Sequence, residues 1–136
     1  MTLNRLFLQF GAVALTTAAG VLPAFGQEAF PSKPVTMVVP FPPGGVADTV
    51  GRPVAEAMAR ALGQPMVVEN KGGAGGGIGM AQVAKARDDG YTVLLSLSSI
   101  VVLPEADKVL KRNSLYTLDQ LKPVARFTAD SMRCFS

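Results

Sequence analysis

The sequence predicts an α/β fold in which helices flank a parallel sheet. Three observations support this prediction. Apolar runs of strand length alternate with runs of helical periodicity, the connections between them are short, and the first apolar run, VTMVV, is unbroken and rich in β-branched residues. Alternating strands and helices with short connections are typical of parallel sheets with right-handed crossovers.

The first strand is predicted at residues 35–39, and a helix follows it almost at once. From Val46 to Leu62 the apolar residues recur at helical spacing, and Gly63 ends the pattern. Pro53 lies inside this pattern and lacks a backbone donor, which predicts a kink or a later helix start.

A second strand is predicted at residues 66–69, before a glycine-rich loop at residues 70–79. A helix of small residues at 78–87 and an apolar strand at 91–96 (YTVLLS) come next. These elements complete a strand–helix–strand–helix–strand unit. Such sheets bind ligands beyond the carboxyl ends of their strands, which is where the unusual loops of this chain lie.

The remaining segment predicts shorter elements. Pro104 is expected to close an apolar run, and residues 105–111 are expected to form a short helix. Thr117 and Gln120 have the spacing of a capping box. Residues 123–127 are expected to form a fourth strand.

Composition excludes several function classes. The chain has 136 residues, enough for one domain or part of one, with 13 Lys and Arg against 10 Asp and Glu. The small positive excess is scattered, which argues against nucleic-acid binding. There is no His and one Cys, Cys134, so His/Cys metal sites and histidine-dependent catalysis are excluded. No pair of residues suggests an acid and a base, so we expect no catalysis and no metal site of this kind.

Residues 1–26 predict a secretory signal peptide. Arg5 gives a positive start, an apolar stretch follows, and small residues precede the cleavage site expected after Gly26. The alternative is an uncleaved anchor helix, since the apolar stretch is close to spanning length. Cleavage would place the mature chain in the periplasm.

The loop PFPPGG at residues 40–45 is the first candidate site. Pro42 and Pro43 fix their own φ angles, whereas Gly44 and Gly45 can adopt positive φ and turn their amides toward one point. The start of the following helix adds unpaired amides and a positive dipole end, which suits a small anion. The alternative is a rigid turn without a ligand.

Two further sets of polar residues leave alternatives open. Asp48 would repel an anion, and it either caps the helix or binds an ammonium group. Ser96, Ser98 and Ser99 follow the third strand, where they either donate to the same ligand or are simply solvated. The glycines of residues 70–79 match no nucleotide-binding fingerprint in any register, so packing or contact with a second lobe is favoured there.

Taken together, FPSKPVTMVVPFPPGGVAD, LGQPMVVENKGGAGGGIG and DGYTVLLS resemble the periplasmic solute-binding receptors of tripartite tricarboxylate transporters, the Bug family. The resemblance covers residues 30–127. It implies the first lobe of a two-lobed, type II-like periplasmic binding protein that closes on a small carboxylate and delivers it to membrane permease subunits. It also implies a monomer without catalytic activity or a cofactor.

Carried over to this chain, the resemblance implies ligand contacts in two loops. The first loop would hold one carboxylate through backbone amides and ordered water, and the serines after the third strand would face the same ligand. The candidate ligand-binding residues are Phe41, Pro43, Gly44, Gly45, Asp48, Ser96, Ser98 and Ser99.

The chain is shorter than such receptors. Residues 27–127 are expected to form a partial amino-terminal lobe and residues 128–136 (TADSMRCFS) a disordered, aberrant tail. A frameshift, a premature stop or a truncated gene model is the explanation expected for that ending. The truncated chain is predicted to bind its ligand weakly or not at all, with a non-functional fragment or a nucleotide-binding half as the alternatives.

Overall fold

The computed structural model describes residues 29–127. The predicted signal peptide, its cleavage site and the predicted tail lie outside these residues. The strands are β1 (Val35–Val39), β2 (Met66–Asn70) and β3 (Thr92–Leu94), and the helices are α1 (Val46–Leu62), α2 (Gly77–Ala84) and α3 (Ser99–Val109). Single 3₁₀ turns lie at Ala74–Gly76 and Leu118–Gln120.

The three strands form one parallel sheet in the order β2-β1-β3. Val35 pairs with Met66, and Thr36 pairs with Thr92. The α/β prediction is therefore confirmed, with β1 at the centre. The two crossovers place α1 and α2 between successive strands, as the alternation of periods indicated.

The two faces of the sheet are covered by different helices. Met37 and Val39 of β1 pack with Ala47 and Ala55 of α1 in one buried cluster. Leu94 of β3 packs on the second cluster, which contains Met80 and Ala81 of α2, together with Tyr116. Successive residues of a strand point to opposite faces, so α1 and α2 lie on opposite sides of the sheet.

The first helix runs without interruption from Val46 through Pro53 to Leu62, so the predicted late start is wrong. Proline at this position removes the bond to the Thr49 carbonyl. Both residues lie on the exposed side of the helix, where water can hydrogen-bond that carbonyl. Gly63 ends the helix with a φ of 66°, as expected for a left-handed cap.

Pro104 does not close an apolar run but lies buried inside α3, so the separate short helix predicted at residues 105–111 is also wrong. A proline here frees the carbonyl of Ile100, four residues earlier. The hydroxyl of Tyr116 donates to that carbonyl at 2.7 Å. A tertiary hydrogen bond thus replaces the missing helical one.

Two other strand predictions differ from the structure. The third strand is shorter than predicted, because pairing with β1 is confined to Thr92–Leu94. Residues 123–127 form no strand, and Val124 is 92 % exposed. The apolar residues in this segment suggested a buried strand, but within residues 29–127 no strand pairs with it. The turn after α3 matches its prediction, since the Thr117 amide donates to Gln120 Oε1 at 2.9 Å.

Candidate functional site

The loops that follow the three strands lie along one edge of the sheet. The amide of Lys71, just after β2, donates to the Val39 carbonyl at 2.9 Å, and the amide of Leu95, just after β3, donates to the Val38 carbonyl at 3.0 Å. We call residues 40–45 the β1 loop and residues 71–76 the β2 loop. The β1 loop follows the central strand and has the other two loops as its neighbours.

The β1 loop has one fully buried end and an exposed middle. Pro40 is buried, Phe41 is half-buried against both core clusters, and Pro42 and Pro43 are exposed. Gly44 adopts a φ of 78°, as its predicted role requires. The positive φ expected at Gly45 is wrong: its φ of −77° and ψ of 175° are ordinary extended backbone, because this residue forms the N-cap of α1.

Asp48 is 3 % exposed and is engaged by groups of this chain. Its Oδ2 accepts from the Gly44 amide at 2.9 Å and from Arg52 Nε at 2.9 Å, and its Oδ1 accepts from Asn70 Nδ2 at 3.0 Å. We call these four groups the Asp48 network. The carboxylate therefore fixes the loop that precedes the helix, and none of its recorded hydrogen bonds goes to an amide of the first turn of α1.

The network has a clear electrostatic effect. The hydrogen bond from Arg52, followed by those from the Gly44 amide and Asn70, lowers the pKa of Asp48 from 3.8 to about 2. The carboxylate is therefore ionised at neutral pH. Its charge is paired with Arg52, which reduces the repulsion that Asp48 would otherwise exert on an anion at the helix start.

The amides that have no recorded acceptor are those of the first turn of α1, where Val46 is 73 % exposed and Ala47 is 1 % exposed. The Gly44 amide is donated to Asp48, and the Gly45 amide to the Pro42 carbonyl at 3.4 Å. Val46 and Ala47 come next, and amides in the first turn of a helix have no acceptor within the helix. Among residues 29–127 no other acceptor is recorded for them. The positive end of the helix dipole adds to their attraction for a negative group.

The three serines occupy the neighbouring loop and the start of α3. Ser96 donates its hydroxyl to the Leu97 carbonyl at 3.2 Å, Ser98 is exposed, and Ser99 is the first residue of α3. The Ser99 hydroxyl oxygen is buried and has no partner within the described part of the chain. Within residues 29–127, no recorded hydrogen bond joins these serines to residues 41–48.

The β2 loop packs against the β1 loop. A side chain at Gly79 would lie 2.7 Å from the Lys71 carbonyl oxygen and 2.8 Å from Pro40 Cβ. One at Gly76 would lie 3.2 Å from the Pro40 carbonyl oxygen and 3.3 Å from the Phe41 ring. These contacts support the packing interpretation of the glycine-rich segment.

Sequence reasoning missed Arg52 and Asn70. Arg52 lies four residues after Asp48, which is ion-pair spacing on a helix. Asn70 is the last residue of β2, at the edge where such sheets bind ligands. It also donates to the Phe41 carbonyl at 3.1 Å. The spacing was visible in the sequence, whereas the contact across 22 residues between Asp48 and Asn70 depends on strand order.

Other chemistry finds little support within residues 29–127. No three Cys, His, Asp or Glu side chains group there as a metal site would require. None of the helices described is long and apolar enough to cross a membrane. Two shallow cavities, one beside Lys33 and Tyr91 and one beside Arg52 and Met66, do not include a predicted site residue.

Comparison with known proteins agrees with the residue pattern. A family model described as tripartite tricarboxylate transporter family receptor (TctC) matches residues 50–133. Protein BugT of Bordetella pertussis is 44 % identical over 99 residues, covering 73 % of this chain and 30 % of that protein. A second protein of the same organism, described as a UPF0065 protein, is 40 % identical over 121 residues, covering 88 % and 35 %. The chain thus spans about a third of the length of these relatives.

Solved structures give partial matches. The periplasmic binding protein BugD is 58 % identical, with a TM-score of 0.47, over 48 % of this chain and 22 % of that one. MatC of Rhodopseudomonas palustris with bound malate is 49 % identical, with a TM-score of 0.47 and the same coverage. The family assignment rests on the sequence matches. By those matches, the chain belongs to the family of tripartite tricarboxylate transporter receptors.

Proposed function

We propose that this chain supplies one wall of an extracytoplasmic receptor for a small carboxylate. The family description names receptors of a tripartite tricarboxylate transporter, which supports both the receptor role and the carboxylate class. The proposal includes export with removal of residues 1–26, delivery of the ligand to permease subunits as a monomer, and no catalytic step.

One observation carries the proposal. The amides of Val46 and Ala47, which have no recorded acceptor, lie at the start of a 17-residue helix. The loop before them turns at Gly44, which has a positive φ. Two neighbouring amides match the two oxygens of a carboxylate, and the helix dipole favours the negative charge. The charge that would oppose binding, on Asp48, is already paired with Arg52.

The serine loop would contribute from the side. Ser98 and Ser99 lie at the start of α3, next to the strand edge that carries the β1 loop. Their hydroxyls can donate to a carboxylate or to a hydroxyl of the ligand. The unpartnered Ser99 oxygen supports this role, because buried hydroxyls normally have a partner.

For this chain by itself we propose weak binding. Val46 at the helix start is 73 % exposed within residues 29–127, so a ligand there would stay largely in water. Ligand sites with high affinity bury most of the ligand surface between opposing walls. The expected dissociation constant is therefore in the millimolar range, as for a ligand held by a few hydrogen bonds.

The test is an amide-resolved NMR titration of the full chain with citrate, malate and adipate. The amide resonances of Val46 and Ala47 should shift most, with smaller shifts at Ser98 and Ser99. The diamide of malic acid is the matched control, because it keeps the shape and removes the charges. The proposal fails if no carboxylate moves the Val46 and Ala47 resonances, or if the diamide moves them equally.

A further inference from the structure

We infer that Asn70 is a positioning residue for the carboxylate site, because its side chain ties the end of β2 to the loop that precedes α1. This inference rests on the proposed function for its effect on affinity. Its structural part, the fixing of the loop amides, is independent of any ligand.

The side-chain amide of Asn70 makes two bonds to the β1 loop and the helix. Its Nδ2 donates to the Phe41 carbonyl at 3.1 Å and to Asp48 Oδ1 at 3.0 Å. Its Oδ1 accepts from Arg52 Nη2 at 3.4 Å. One side chain therefore contacts the beginning of the loop, the first turn of the helix and the cation that balances Asp48.

These bonds determine where the loop amides point. Asp48 Oδ2 holds the Gly44 amide, and Gly44 has a positive φ, which glycine adopts about as readily as a negative one, so this hydrogen bond helps to select one conformation. Asn70 fixes the other oxygen of the same carboxylate. Hydrogen bonds to both oxygens restrict rotation of the carboxylate and thereby favour one conformation of the Gly44 turn in front of Val46.

Loss of the Asn70 donors has two consequences. The Phe41 carbonyl and Asp48 Oδ1 lose their recorded partner, which is unfavourable for groups that are partly or fully buried. The negative charge of Asp48 also becomes less well compensated beside the anion site. Both effects weaken carboxylate binding, although Asn70 is not placed here as a ligand contact.

The first measurement uses the wild-type chain without ligand. The side-chain amide protons of Asn70 should exchange with solvent more slowly than those of Asn113, an exposed asparagine with no recorded hydrogen bond among the described residues. Equal exchange would overturn the inference, whether or not the chain binds a carboxylate.

The second measurement compares Asn70→Ala and Asn70→Asp with Gln120→Ala. Asn70→Asp keeps the shape and replaces both donors with a second carboxylate, whereas Gln120→Ala removes a remote amide side chain that also bonds to backbone. Only the Asn70 variants should shift the ligand-free resonances of Gly44, Val46 and Ala47. Their affinity for malate should fall by about tenfold, as for a lost charge-assisted hydrogen bond.

The outcomes separate the two proposals. Unchanged loop resonances in the Asn70 variants, or an affinity loss no larger than that of Gln120→Ala, would overturn the positioning role. Absence of binding in the wild-type chain would overturn the proposed function. The ligand-free exchange rates and loop resonances would then be sufficient to decide whether Asn70 positions the loop. If Asn70→Ala fails to fold by circular dichroism, Asn70→Asp and the wild-type exchange comparison still decide it.

Discussion

The β1 loop and the β2 loop lie at the same edge of the sheet, and both need glycine for its positive φ, but the β2 loop also needs it for space. In the β1 loop, Gly44 has a φ of 78° and nothing within 4 Å of the place where a side chain would begin. Glycine is therefore needed at this position because it allows the positive φ, and not because a side chain would lack space. The exposed prolines beside it limit the freedom that glycine would otherwise add.

In the β2 loop and the start of α2, glycine provides space as well as conformation, since Gly73, Gly75 and Gly76 also have positive φ. Gly76 and Gly79 lie directly against Pro40 and Phe41, so any side chain there would contact backbone or ring atoms. The glycine-rich β2 loop and the start of α2 therefore support the structure, whereas the β1 loop, with fewer glycines, is the candidate ligand site. Glycine content alone does not identify a ligand loop, since conformation and close packing both select this residue.

The largest expected effect is that of Gly79→Ala. The added methyl group would lie 2.7 Å from the Lys71 carbonyl oxygen and 2.8 Å from Pro40 Cβ, and neither atom belongs to a flexible side chain. Overpacking of this kind should lower the free energy of unfolding by about 3 kcal/mol, more than alanine gains as a helix former. Urea unfolding followed by circular dichroism measures the loss. A variant as stable as the wild type would show that the start of α2 is not in close contact with Lys71 and Pro40.

A smaller loss is expected for Gly44→Ala, and it should be specific to the site. The positive φ should cost about 1 kcal/mol of folding stability. Gly63→Ala is the matched control, because Gly63 has a φ of 66° and also has nothing within 4 Å. Both variants should lose similar stability by urea unfolding, but only Gly44→Ala should weaken carboxylate binding in the NMR titration. Equal affinities in the two variants would show that the conformation of Gly44 does not contribute to carboxylate binding.

The Asp48 network should appear in the pH dependence of stability. The pKa of Asp48 lies at about 2 in the folded chain against an ordinary value of 3.8. Because the folded-state pKa is the lower one, the stabilisation is complete above 3.8 and is lost as the pH falls toward 2. Asp48→Asn should be less stable than the wild type at neutral pH and should lose less stability across this window.

Urea midpoints measured between neutral pH and pH 2 check this expectation, the lower bound being set by the pKa of Asp48. Asp88→Asn is the control, because it removes an exposed carboxylate that makes no recorded hydrogen bond or ion pair in the described residues. Parallel pH curves for Asp48→Asn and the wild type would contradict the role given to the Arg52 and Asn70 bonds.

Much of the fold could be predicted from local patterns. The bounds of β1 and α1 follow from a change of period at the proline–glycine loop, and the parallel sheet follows from alternation and short connections. The errors arise where tertiary contacts decide. Pro104 stays inside α3 because Tyr116, twelve residues later, hydrogen-bonds the carbonyl that the proline frees, and no local pattern contains that bond.

The candidate site divides in the same way. The positive φ of Gly44 and the helix start at Val46 were predictable, because each depends on the loop's own residues. The state of Asp48 was not, since its partners are one helical turn and one strand away. From the sequence, Asp48 was interpreted either as a helix cap or as a group that binds ammonium. Neither interpretation included Asn70, because the position of Asn70 beside the loop depends on the order of the strands.

The smallest expected effect is that of Gly72→Ala. It tests whether every glycine of the β2 loop, or only some of them, lacks space for a side chain. Gly72 lies in the β2 loop, but a methyl group there would meet Pro42 at 3.6 Å, an ordinary van der Waals distance. Alanine also reduces the freedom of the unfolded chain, so the free energy of unfolding should rise by about 0.5 kcal/mol. Urea unfolding beside Gly79→Ala provides the measurement. A loss above about 1 kcal/mol would mean that Gly72, like Gly76, is packed against the β1 loop without space for a side chain.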